Sequence, residues 1–115
     1  MTETDIYPLI SALAGGNVYP YVVPLNSEGE PAISPPWVVF SFVSQPSADV
    51  LCGPAETTSS VQFDIYAKTI AQAREIRGEV IAALSPLSPG NQMLTHGNDP
   101  DTGLYRATAE LQFVD

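Results

Sequence analysis

The alternation of apolar and polar positions changes period within one short stretch, and that change marks the clearest boundary in the chain. From Ser59 onward, Val61, Phe63, Ile65 and Ala67 alternate with Gln62, Asp64 and Tyr66. A period of two places the apolar row on one face of a sheet. The spacing then becomes three and four: Ile70, Ala73, Ile76, Val80 and Leu84 form one stripe on a helix. Thr69 followed three residues later by Gln72 fits a capping box, in which the Thr hydroxyl accepts from the Gln72 amide and the Gln side chain reaches back. The pattern predicts a strand over 60–67 that runs almost directly into a helix, which Ser85-Pro-Leu-Ser-Pro-Gly-Asn91 breaks.

Other segments are read the same way. Ile6, Leu9, Ile10 and Leu13 make a stripe that predicts a helix over 4–14, capped by Thr4 or Asp5. Pro8 is tolerated in such a helix only within its first turn, and Gly15-Gly16 ends it in a left-handed stop. Val18–Val23 reads as a short edge strand, because Pro20 and Pro24 each lack an amide. Residues 24–36 hold four prolines and show no period. They predict a long loop, the least ordered internal segment of an isolated subunit. Trp37–Val43 is a continuous β-branched and aromatic run, expected as a central strand covered on both faces. Residues 44–58 form a second connection with a short strand over 49–51. Residues 92–96 predict another short strand, and Gly97–Gly103 a turn. In the last segment Tyr105, Ala107, Ala109, Leu111 and Phe113 alternate with Arg106, Thr108, Glu110 and Gln112, a strand with one apolar and one polar face.

The element order is α-β-β-β-α-β-β. It predicts an α+β fold: an antiparallel sheet, mainly 37–43, 60–67 and 104–114, with two helices packed on one face. Val38, Phe40, Phe42, Phe63, Ile65, Leu111 and Phe113 are expected to meet Leu9, Leu13, Ile76, Val80 and Leu84. A chain of 115 residues has room for one core, so residues 1–115 are taken as a single domain with a Pro-rich loop at 24–36.

Charge narrows the function classes. Thirteen acidic residues oppose four basic ones, a formal charge of −9. Nucleic-acid affinity rests on Lys and Arg, so DNA and RNA are excluded as primary ligands. No apolar run approaches the ~20 residues of a transmembrane helix. The N-terminus, Met-Thr-Glu-Thr-Asp, is acidic where a signal peptide would be basic, which predicts a cytosolic chain. The single cysteine, Cys52, excludes an internal disulfide and a cysteine cluster for metal.

Catalytic constellations are missing from the pattern. One histidine, His96, leaves only carboxylates as metal ligands. Asn98-Asp-Pro-Asp-Thr-Gly103 lacks the Asp spacing and closing Glu of a calcium loop and reads as a plain Asx/Gly turn. There is no Gly-x-Ser-x-Gly, no Gly-rich phosphate loop and no dinucleotide fingerprint. Glu75 and Glu79 lie four apart, the spacing of a solvated helical face. The chain is read as a non-enzyme with no cofactor.

The few cations are the candidate contact residues. Arg74 and Arg77 share a helix face, Lys68 lies at the strand–helix junction, and Arg106 on the last strand. One reading pairs them within the subunit, with neighbours such as Glu75 or Asp64. The other sets Arg74, Arg77 and Arg106 against Glu28, Glu30, Asp99 and Asp101 of a neighbouring copy. Trp37 and Tyr66 are of the kind enriched at interfaces, and equally suit a core.

Asn17-Val-Tyr-Pro20, Val61-Gln-Phe-Asp-Ile-Tyr66 and Tyr105-Arg106, set in this element order from about Tyr7 to Phe113, resemble the tail-completion (tail-terminator) family of long-tailed phages and prophages. The resemblance implies a small α+β subunit that forms a ring, expected to be a hexamer, at the head-proximal end of the tail tube. It implies the tail tube protein and the head connector or stopper protein as partners, with DNA passing through the ring without being specifically bound and no membrane contact. The expected location is the virion tail, after assembly in the host cytoplasm. A head-completion or connector protein, or a small α+β protein- or ligand-binding module, are the alternatives to that reading.

Overall fold

The computed structural model describes residues 2–44 and 58–114. Helix α1 (Glu3–Ile10) leads through a tight 3-10 turn at Leu13–Gly16 into β1 (Val18–Pro20). Strands β2 (Trp37–Ser44) and β3 (Thr58–Ala67), helix α2 (Ile70–Ala83), and strands β4 (Gly90–Asn98) and β5 (Tyr105–Val114) follow. The five strands form one sheet in the order β1-β2-β3-β5-β4, and the fold is the predicted α+β arrangement. The short strand expected over 49–51, and Cys52, lie outside the described residues.

Register explains the core. Phe40 pairs with Phe63, and Phe63 with Ala109, while Val38, Ile65 and Ala107 form the next row. These residues share one face of the sheet and are fully buried. Phe40 and Phe63 stack at 6.2 Å between ring centroids, and their bulk fills the middle of that face. Ala107 and Ala109 are small, which leaves room for α2 to approach β5. Ala73, Ile76 and Val80 of α2 close over the sheet, with Leu84 at its C-cap. Ile6 and Ile10 of α1 join the same cluster, and Tyr7 stacks on Phe40, so both helices lie on one face. Leu13 and Phe42 pack against this core partly buried.

Several expectations are corrected. The first helix is shorter and earlier than 4–14: Thr2 is its N-cap, and the Asp5 carboxylate accepts the Thr2 amide at 2.8 Å. Pro8 therefore falls in the second turn, past the first turn where its missing amide would cost nothing, and the helix stops at Ile10. Leu9 is exposed, because the shortened helix turns Ile6 and Ile10 inward instead. The chain reverses at Ala14, Gly15 and Gly16, all with positive φ.

Nor is the sheet wholly antiparallel. β1 runs parallel to β2, Val18 opposite Val38 and Pro20 opposite Phe40. Parallel neighbours need a connection of about a dozen residues or more, and the Pro-rich segment supplies it. That segment is also more organised than its composition predicts. The Asn26 side-chain oxygen accepts the amides of Glu28 and Glu30, the Asn26 amide donates to the Glu30 carbonyl, and the Ala32 amide to that of Pro24. One asparagine thus ties the tip into a miniature hairpin, an Asx device that needs no apolar period. Finally, β2 is not covered on both faces. Val38 and Phe40 are buried, whereas Val39 and Ser41 are only half-buried and Val43 is exposed. Trp37 is buried on the face away from the helices, stacked on Tyr66 at 5.5 Å.

Candidate functional site

The face opposite the helices carries a polar row built by cross-strand register. Asp64 of β3 pairs with Val39 on one side and Thr108 on the other, and Tyr66 pairs with Arg106. The Asp64 carboxylate accepts from Gln62 Nε2 at 3.0 and 3.3 Å and from Thr108 Oγ1 at 2.7 Å. Beside Tyr66, its register partner, the Arg106 guanidinium has its pKa raised above the ordinary value by that side chain, and the charges of Asp64 and Asp99 add to this. These groups satisfy one another. A hollow of about 230 Å³ beside them is lined by Gln62, Met93, Thr95, Arg106, Thr108 and Glu110.

The seven residues expected at a subunit contact are dispersed by the fold. Arg77 is turned inward, 8% exposed, in the seam between β4 and β5. Its Nη1 donates to the Thr95 carbonyl at 2.7 Å and approaches the Thr108 carbonyl at 3.4 Å. Thr95 and Thr108 are register partners. One nitrogen reaches both oxygens only because both lie in the gap between the strands. Burial, and then the charge of Arg74, lower the Arg77 pKa, but a guanidinium starts so high that it stays charged. The signal was in the sequence: Arg77 falls inside the apolar stripe formed by Ala73, Ile76, Val80 and Leu84. Arg74, one turn earlier, is exposed.

Among the acidic residues, Asp99 is committed to its own turn. Its carboxylate accepts the Asp101 amide at 3.1 Å and the Thr102 hydroxyl at 3.0 Å, and its carbonyl accepts the Gly103 amide. This is the Asx/Gly turn expected from the sequence, and Gly103 adopts positive φ in it. Glu30 and Asp101 are brought together at the Trp37 end of the sheet, in a hollow of about 350 Å³ that includes Pro35 and Leu104. Glu28 stays exposed at the loop tip.

Two surfaces escaped the sequence reading. Strand β4 is the outer strand beside β5, and Met93 (61% exposed) and Leu94 (47%) stand out from it. At the other edge, α1 and β1 enclose an apolar groove of about 430 Å³ lined by Tyr7, Pro8, Val18, Tyr19 and Phe40. Nearby, the Tyr21 hydroxyl donates to the Glu3 carboxylate at 2.7 Å, which lowers the Glu3 pKa and raises that of Tyr21. Only the uncharged run Gly90–Asn98 in so acidic a chain hinted at the first surface.

What the fold defines is a small α+β protein with a polar row on one face of its sheet, an apolar groove at one edge and exposed Met93 and Leu94 at the other. Residues 8–114 match the family described as tail completion protein gp17, and the chain belongs to that family. No curated protein matches the chain. It is thus a structural protein of phage tail assembly, and its place is the virion tail.

Proposed function

We propose that this subunit closes the head-proximal end of the tail tube as a ring of identical copies, expected to number six. There it ends tube growth and offers the surface on which the head connector docks. The observation that carries the reading is that the sheet ends in two unlike edges, β4 on one side and the β1 groove on the other. A subunit with two different contact surfaces joins head to tail, and such contacts close into rings when the rotation permits. The strong net negative charge suits a conduit past which DNA slides without adhering. Within the ring, Arg74 is the cation best placed to meet acidic groups of a neighbour, Glu28, Glu30 or Asp101. Arg106 contributes less, because Tyr66 already engages it.

A phage lacking this gene tests the proposal. Overgrown tails without heads, restored to uniform length by the supplied protein, are expected in electron micrographs. Gold-labelled protein should sit at the head-proximal end. Tails of normal length joined to heads in the deletion strain would refute it. Normal free tails beside heads that lose their DNA would point instead to a connector role.

A further inference from the structure

Strand β1 stops sooner than its partner does. Val18–Val23 reads as strand in the sequence, yet β1 ends at Pro20 while β2 runs on to Ser44. The last link between them is the Tyr21 amide, which donates to the Phe40 carbonyl at 2.8 Å. Tyr21 itself ends the strand. Its φ is +68°, and the Val22 amide turns back to the Pro20 carbonyl at 2.8 Å, a three-residue γ-turn with a left-handed centre. Such a turn is strained, and more so with a bulky side chain at its centre than with Gly or Asn. The side chain is tethered as well: the Tyr21 hydroxyl donates to the Glu3 carboxylate at 2.7 Å. Glu3 opens α1, which packs on the helix-bearing face of the sheet.

Continued as a strand, the same residues have a place to go. The Val38 amide donates to the Asn17 carbonyl and the Phe40 carbonyl accepts the Tyr21 amide, so these two residues of β2 face β1. Facing alternates along a strand, and Phe42 is next. Its amide would donate to the Tyr21 carbonyl, and its carbonyl would accept the Val23 amide. Pro20 and Val22 fall at the positions turned away from β2, so the missing Pro20 amide is no obstacle. The irregularity between Phe42 and Ser44 ends the pairing there. Two valines would exchange surroundings. Val22, now 59% exposed, would stand beside Phe42 on the helix-bearing face, and Val23, now 9% exposed, would leave its present contacts. Tyr21 would join Tyr19 on the opposite face, away from Glu3. The tether and the longer strand therefore exclude each other.

We infer that β1 is a strand held short by a latch: release of Tyr21 from Glu3 lets residues 21–23 zip onto the free edge of β2. Glu3 also lines the apolar groove between α1 and β1, so the latch links the wall of that groove to the length of the sheet edge. Every group in the latch belongs to one chain, and it does not depend on ring formation.

Backbone amide exchange, followed by NMR on the full chain with all variants in the same oligomeric state, tests the latch. Tyr21→Phe removes the hydroxyl and keeps the strain. Tyr21→Val removes the hydroxyl and puts a β-branched residue where φ is positive. Both are expected to slow exchange of the Val23 and Phe42 amides roughly tenfold or more, the shift in equilibrium that loss of a charged hydrogen bond gives. Tyr21→Gly removes tether and strain together, because glycine takes positive φ freely, and is expected to keep wild-type exchange at both amides. Unchanged or faster exchange at either amide in Tyr21→Phe or Tyr21→Val would overturn the latch. Equal slowing in Tyr21→Gly would do the same, since the strained turn would then have no part in the choice.

Discussion

Arg77 offers the sharpest test of how the fold is held. Its guanidinium is buried over the β4–β5 seam and donates to main-chain oxygens of both strands. Hydrogen bonds from a charged donor contribute about 1.5–3 kcal/mol each. The 3.4 Å contact is too long to count fully, so Arg77→Met, which keeps most of the aliphatic stem, should cost about 1.5–3 kcal/mol. Arg77→Glu replaces a donor by a carboxylate facing two carbonyl oxygens. Breaking a buried charged contact in this way costs about 3–5 kcal/mol. Against a typical domain stability of ~5–15 kcal/mol, that variant should be marginal or unfolded. Charge reversal at Arg77 therefore does not leave the subunit fold intact, as an exposed contact residue would. Arg74→Glu, on the exposed side of the same helix, should change stability by less than about 0.5 kcal/mol. Urea denaturation of the three variants, followed by circular dichroism, measures all of this. An Arg77→Glu protein as stable as the wild type would refute the clamp.

Phe63→Ala should destabilise by about 3–5 kcal/mol in the same assay, because Phe63 is fully buried between Phe40 and the small Ala109 and nothing beside it fills the space. Hydrogen exchange should show protection of the Asn26, Glu28 and Glu30 amides in the wild type; Asn26→Ala should remove it at Glu28 and Glu30, and equal exchange in both proteins would contradict the Asx-tied hairpin. Glu3 has a folded pKa below its unfolded one, so its contribution to stability is present above the usual carboxylate range, ~4.3, and is lost as pH falls through the depressed value. Tyr21→Phe should return Glu3 to the ordinary range in an NMR titration, and an unchanged midpoint would discard the Tyr21 bond as its cause.

By itself the sequence determined what depends on neighbours along the chain. The strand–helix boundary near Ala67–Ile70 is legible because side-chain period and capping act over three or four residues, and Thr69 does accept the Gln72 amide. The facing of β3 and β5 follows from strict alternation, since a one-residue slip would put Phe63 and Leu111 in water. Tertiary structure alone decided what depends on distant partners. Arg77 meets carbonyls 18 and 31 residues away, so its stripe position reveals burial but not what satisfies its charge. The direction of β1 depends on where the long loop delivers the chain, and β propensity is the same for either direction. Trp37 could have faced either side of its apolar strand; pairing with Tyr66 put it on the polar face. The two unlike edges exist only once strand order is set, because which strand is left outermost is a property of the whole sheet and of no local stretch.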